Sequence, residues 1–255
     1  MTEVKNNKAF DFLLYNYFGI KESDLKQKSK KDIPYICAKR AYLDLARTVE
    51  YRYSSSELEE MKSKKSSEED KDKANNFIDS KNELIKNICE NILSPIKTKE
   101  GEISFESSDF DKWHKAKCEE IINFMNNSID KSNTKILKKE NFTIGQAQKW
   151  VNMTLKYLWL LNALPTGVKP EYLHVPIDSY IIEIAYDNKN KFENALELLE
   201  EKPKKSWSKL PEYKKYFKIQ EAIRKAIKTN TTNETIPIKW ESLAWIEVAE
   251  KQANK

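Results

Sequence analysis

The chain has 255 residues, 33% of them charged and 39% hydrophobic, with a net charge of +5 and a mean hydropathy of −0.76. Its 11% aromatic content argues against general disorder. Only four glycines are present, at positions 19, 101, 145 and 167, which excludes the glycine-rich phosphate cradles GxGxxG and GxxxxGK(S/T) and disfavours turn-rich sandwiches and large α/β enzymes.

Helical periodicity runs along the chain. Phe10, Leu13, Leu14, Tyr17 and Phe18 form one apolar stripe, and Gly19 follows where a left-handed cap ends a helix. Cys37, Ala41, Leu45 and Val49 mark a second helix, with Pro34 near its start. Residues 54–76 are almost wholly Ser, Glu, Asp, Lys and Asn. That composition buries too little apolar area to offset ordering, so it reads as a charged, exposed, mobile insertion. Order is expected again from Phe77, with Leu84, Ile85, Ile88, Cys89 and Ile92 on a helix ending before Pro95. Ile103 and Phe105 alternate beside Gly101, which predicts at most one short hairpin over 97–107. Phe110, Trp113, His114, Cys118, Ile121, Ile122 and Met125 form the next stripe, capped from Ser107, Ser108 or Asp109.

Thr143 then caps a helix that runs to about Asn162. Ile144, Ala147, Val151, Leu155, Leu158 and Leu161 make one face, and Trp150, Met153, Tyr157 and Leu160 a second. A helix apolar over so much of its circumference is buried on several sides. Pro165, Gly167 and Pro170 enforce a loop, and Asp178 or Ser179 opens a short apolar helix. Further helices are expected over 192–199, 213–227 and 240–249, the last closing a core rich in Trp and Tyr. There is no internal repeat and no βαβ alternation. The expectation is a mainly α, compact multi-helix domain over 1–255, with lobes at 1–126 and 143–255.

Three cysteines, a polar start and no long apolar run point to a protein of the reducing cytoplasm with no membrane partner. His114 and Cys118 are four apart, but no second ligand pair accompanies them, so they read as packing residues and no metal or cofactor is expected. His174 reads as a loop histidine packed before a proline. Triad chemistry lacks its motif, and no arginine stands close enough before either histidine for a helical ribonuclease. From Lys202 to Lys218 there are seven lysines and one glutamate, with Trp207, Tyr213, Tyr216 and Phe217 among them. Lys204, Lys205, Lys209 and Trp207 are the candidate nucleic-acid contacts, since lysines neutralise phosphates and aromatics stack on bases. The competing reading is a solvated helix face with its aromatics in the core.

The remaining pair is Lys149 in IGQAQKWVN and Asp178 in HVPIDSYIIEIA. Here the sequence resembles the helix-hairpin-helix DNA glycosylases, most of all the divergent 8-oxoguanine-glycosylase-like proteins of bacterial antiphage islands. That family carries a glycine hairpin, a helix with a catalytic lysine, and a Val-Pro-(Val/Ile)-Asp segment whose Asp is catalytic. The chain has Gly145 alone where the family usually has two glycines, and Leu164 to Tyr172 reads as an inserted loop. The likeness covers about residues 140–186. It implies a nucleic-acid-binding protein, DNA before RNA, that excises a base in bacterial defence, with Lys149 as the nucleophile and Asp178 stabilising the oxocarbenium-like charge. A lysine in a partly apolar pocket gives up its proton more readily, and aromatics sandwich an extruded base. The alternative is a non-catalytic helical adaptor or subunit of a bacterial protein complex, with Lys149 a polar helix position and Asp178 an ordinary N-cap.

Overall fold

The computed structural model describes residues 7–26, 32–94, 106–189, 191–199, 201–229 and 236–253. The chain is mainly helical, with 67% of residues in helix, and the described residues hold no strand, only isolated antiparallel bridges at Tyr51–Leu137 and Ile129–Lys135. The helices are α1 Asn7–Phe18, α2 Glu22–Lys26, α3 Asp32–Leu45, α4 Ser55–Met61, α5 Glu68–Asn91, α6 Ser107–Asn127, α7 Ile144–Leu160, α8 Ser179–Ala185, α9 Tyr213–Thr229 and α10 Pro237–Ala253.

α7 is the axis of the molecule. Thr143 and Gln146 form a capping box at its start: the Thr143 hydroxyl accepts from the Gln146 amide, and the Gln146 side chain accepts from the Thr143 amide. Every residue from Ile144 to Leu155 is buried. α3 and α6 pack along it, and Trp150 reaches across to donate its indole N–H to the Ala38 carbonyl at 2.9 Å. One contiguous apolar cluster runs from Ile33 in α3 to Val248 in α10. No helix among the described residues is long and apolar enough to cross a membrane.

Several local expectations are corrected. Residues 54–76 are exposed over most of their length, as expected, but they are ordered, as α4 and the first turns of α5. Ser54 and Ser67 cap those helices, and Leu58 and Ala74 anchor them in the core. The two caps and the Leu58 and Ala74 anchors, with the helical hydrogen bonds themselves, hold a segment whose composition alone argued against order. The α1 stripe is helical but mostly not a core face. Only Leu14 on it is buried, whereas Leu13 is 64% exposed and Phe12 beside it 67%. Residues 192–199 are not helical. Carboxylates take backbone amides here instead: Glu247 accepts from Glu193 and Asn194, and Asp187, just upstream, accepts from Phe192 as well as from Lys189 and Lys191. The N-cap of α6 is Glu106, which makes no side-chain cap, rather than Ser107, Ser108 or Asp109. The alternating Ile103 and Phe105 of the expected hairpin lie outside the described residues.

Candidate active site

Lys149 and Asp178, 29 positions apart in the chain, meet. The Lys149 ammonium donates to Asp178 Oδ2 at 2.7 Å, with side chains 6% and 13% exposed. Asp178 is also the N-cap of α8: its Oδ1 accepts from the Ile181 amide at 3.0 Å. The two readings of this residue, cap and partner of Lys149, hold together, one on each carboxylate oxygen. The Trp245 indole N–H lies 3.3 Å from Oδ2 as a second donor to that oxygen.

The placement of Asp178 is explained by glutamines. The segment Leu173–Ile177 is extended and buried, yet has no strand beside it. Its backbone groups must still be paired. Gln148 of α7 accepts from the Ile177 amide at 3.1 Å and donates to the Ile177 carbonyl at 2.9 Å. Gln220 of α9 does the same for Val175, at 2.9 and 2.7 Å. Two amide side chains thus stand in for a missing strand. Because Gln148 and Lys149 are neighbours in sequence, one turn of α7 fixes both the Ile177 backbone that leads into Asp178 and the Asp178 carboxylate.

The pair opens into a cleft of about 720 Å³. α7 lines it with Lys149, Met153, Lys156, Tyr157 and Leu160, a stripe at helical spacing. On the opposite wall Arg40 donates to Asp44 at 2.9 Å and stacks over the Tyr17 ring at 4.1 Å, while the Tyr157 hydroxyl donates to Asp44. α10 contributes Glu241, which pairs with Lys156, and Trp245, whose ring lies 5.1 Å from Tyr180 at an interplanar angle of 39°. Burial pushes the Glu241 carboxyl above its ordinary value, and the Lys156 ammonium opposes that rise.

The 3-10 turn Trp207–Lys209 closes the floor near the start of α7. Trp207 is 9% exposed and belongs to the cleft wall. The lysines lie on the other side of this turn. Lys202, Lys204, Lys205, Lys209, Lys215 and Lys218 line a separate groove of about 580 Å³. Tyr216 is buried and Tyr213 and Phe217 face the core, so the lysines and the aromatics of this stretch are not interleaved on one surface. Lys204 and Lys209 are held by exposed partners, Glu201 and Glu50, in pairs worth little in water.

A polar chain that the sequence did not announce runs through Asn152 of α7, buried at His174, Tyr216 and His114 and partly exposed at Arg224 and Asp111. Arg224 makes two contacts to Asp111 at 3.0 Å, and Asp111 takes His174 Nε2 at 2.6 Å. His174 Nδ1 meets the Tyr216 hydroxyl at 2.8 Å, and that hydroxyl accepts from Asn152 at 2.9 Å. Asn152 Oδ1 meets His114 Nε2, and His114 Nδ1 meets Tyr213, each at 2.8 Å. Burial holds both histidines down, His174 to about 4, so they are neutral near neutral pH. Burial pushes the Asp111 carboxyl up, but the His174 and Arg224 hydrogen bonds outweigh it and bring the group to about 2. The only hint in the sequence is polar Gln148 and Asn152, four apart on a helix otherwise buried all round. Cys118 lies 3.8 Å from His114 as a packing neighbour, and no cluster of metal-ligating groups occurs among the described residues. All three cysteines are buried, and burial pushes the Cys37 and Cys89 thiols up to about 12.

No family model matches the sequence, and neither the curated proteins nor the solved structures contain one with significant similarity to it.

Proposed function

We propose that this protein binds nucleic acid, DNA in the first place, and excises a base through Lys149, as the resemblance to the helix-hairpin-helix glycosylases implies, with bacterial defence as its setting. The observation that carries the reading is the Lys149–Asp178 contact of 2.7 Å at the wall of a cleft large enough for a nucleotide. Asp178 Oδ2 is within reach to take the ammonium proton. The free amine then attacks the sugar C1′, the N–C1′ bond forms, and the glycosidic bond breaks with its electron pair leaving on the base, which picks up a proton. Ring opening gives a Schiff base. The lysine groove, joined to the cleft by the turn Trp207–Lys209, is suited to the flanking phosphates.

Borohydride trapping tests this. Duplexes carrying a panel of damaged or modified bases are incubated with the protein and reductant. A covalent protein–DNA adduct that disappears in Lys149→Gln, with duplex binding largely retained, is the expected result. The absence of an adduct with every base overturns catalysis. In that case the adaptor reading stands, and it draws on a separate observation: Phe12, Leu13 and Tyr15 of α1 are large apolar side chains left exposed.

A further inference from the structure

Two ion pairs reach from α7 across the cleft, and they are not used equally. In Lys149–Asp178 both carboxylate oxygens are occupied, Oδ1 by the Ile181 amide and Oδ2 by Lys149 and the Trp245 indole. In Lys156–Glu241 only Oε2 is used. Glu241 Oε1 is buried and has no hydrogen-bond donor, on a residue 1% exposed that lines the cleft. A buried carboxyl oxygen without a donor has lost its water and gained nothing in exchange. A ligand N–H arriving at that oxygen restores the loss.

The neighbours narrow the ligand. Lys156 is a donor, so the ligand atom beside that N–H has to be an acceptor. Trp245 lies one turn of α10 from Glu241 and, packed against Tyr180, adds an aromatic face to the cleft lining. Four cations, Arg40, Arg47, Lys149 and Lys156, line the cleft against three acids, Asp44, Asp178 and Glu241, so the cleft does not select a cation. A neutral planar ring with an N–H next to an oxygen or nitrogen acceptor fits these constraints.

Resting on the base-excision reading, we infer that Glu241 and Lys156 read the hydrogen-bonding edge of the extruded base, Glu241 Oε1 accepting from its N–H and Lys156 donating to the adjacent acceptor. Glu241 is a specificity-determining residue in this arrangement. A base whose edge has lost that N–H leaves the oxygen unpaired and is rejected, as happens wherever a site is built around a buried polar partner.

The test uses free bases and the intact protein, so it does not need turnover. Isothermal titration compares hypoxanthine with 1-methylhypoxanthine, and adenine with N6,N6-dimethyladenine. The parent base of at least one pair is expected to bind, and its methylated partner to bind about tenfold more weakly or worse. Glu241→Gln, which keeps the shape but offers an amide, is expected to weaken the parent about tenfold and to close the gap within the pair. The inference is overturned if no parent base binds up to its solubility, if both members of each pair bind equally, or if a folded Glu241→Gln keeps the gap. Should that variant not fold, the methylated pairs on the unaltered protein decide alone. An adduct without base discrimination removes this inference and leaves excision standing; discrimination without an adduct does the reverse.

Discussion

A Cβ placed on Gly145 meets the Trp207 carbonyl oxygen at 1.8 Å and its carbonyl carbon at 2.9 Å. The first turn of α7 and the turn Trp207–Lys209 are therefore in backbone contact, and the Gly145 amide also donates to the Leu210 carbonyl at 3.1 Å. The absence of a side chain at 145 seats the basic stretch beside the lysine helix. Both contacting atoms are backbone, so neither moves out of the way by rotating a side chain.

Gly145→Ala is expected to destabilise the protein by about 1–3 kcal/mol or more, since the added carbon forces a main-chain shift in a packed region. The shift also displaces Trp207 from the cleft wall. Urea melts measure the first effect, and the change in duplex affinity relative to Lys205→Gln, a groove residue that leaves the turn intact, measures the second.

Gln148→Leu keeps most of the volume but strands the Ile177 amide and carbonyl and removes an acceptor from Asn152. Each orphaned buried group costs about 1–3 kcal/mol. A loss of about 2–5 kcal/mol is expected in thermal or urea unfolding, together with lower adduct yield because Asp178 is no longer fixed. A stability change under about 0.5 kcal/mol would contradict the role given to this glutamine.

Asp178 separates its two tasks by substitution. Asn is a good N-cap, so Asp178→Asn is expected to keep α8 capped while losing the charge partner of Lys149; Asp178→Ala loses both, with a further cost of about 1 kcal/mol from the cap. Adduct formation is expected to fall in both variants. Comparing their melting curves isolates the cap.

Acid acts through the buried histidines. The unfolded imidazole titrates near 6.5 and His174 in the folded chain near 4. Between these values the unfolded state binds a proton that the folded state refuses, so stability falls as the pH drops through this window and is level above it. His114 acts in the same direction. Asp111, held at about 2 against an ordinary 3.8, contributes stability above that ordinary value and loses it as the pH falls towards 2. Denaturation midpoints at pH 7.5, 5.5 and 4.5 are expected to decline in that order. In His174→Gln, which does not titrate, the decline is expected to be shallower.

Neutralising Lys204, Lys205 and Lys209 together is expected to weaken duplex binding for every sequence and to reduce the slope of log affinity against log salt by about 2–3. Retention on a DNA column across a salt series measures it. An unchanged slope would assign the lysine groove to solvent alone.

The sequence by itself determined the helical class, the burial of α7 over Ile144 to Leu155 and its Thr143 cap, and it singled out Lys149 and Asp178 as a pair. These are written in local periodicity and cap chemistry, which act over a few residues. It misread the order of 54–76, where caps and the anchors Leu58 and Ala74 hold a polar segment, and 192–199, where the Glu193 and Asn194 amides go to the distant Glu247 and the Phe192 amide to Asp187. The joining of Lys149 to Asp178 across 29 residues was decided by Gln148 gripping the Ile177 backbone. The separation of the lysines from the aromatics beside them, and the Arg224–Asp111–His174 chain with its continuation to His114, were likewise decided in three dimensions. Polar side chains pair according to what burial brings within 3 Å of them, and no spacing along a single chain encodes that when the partners lie on different helices.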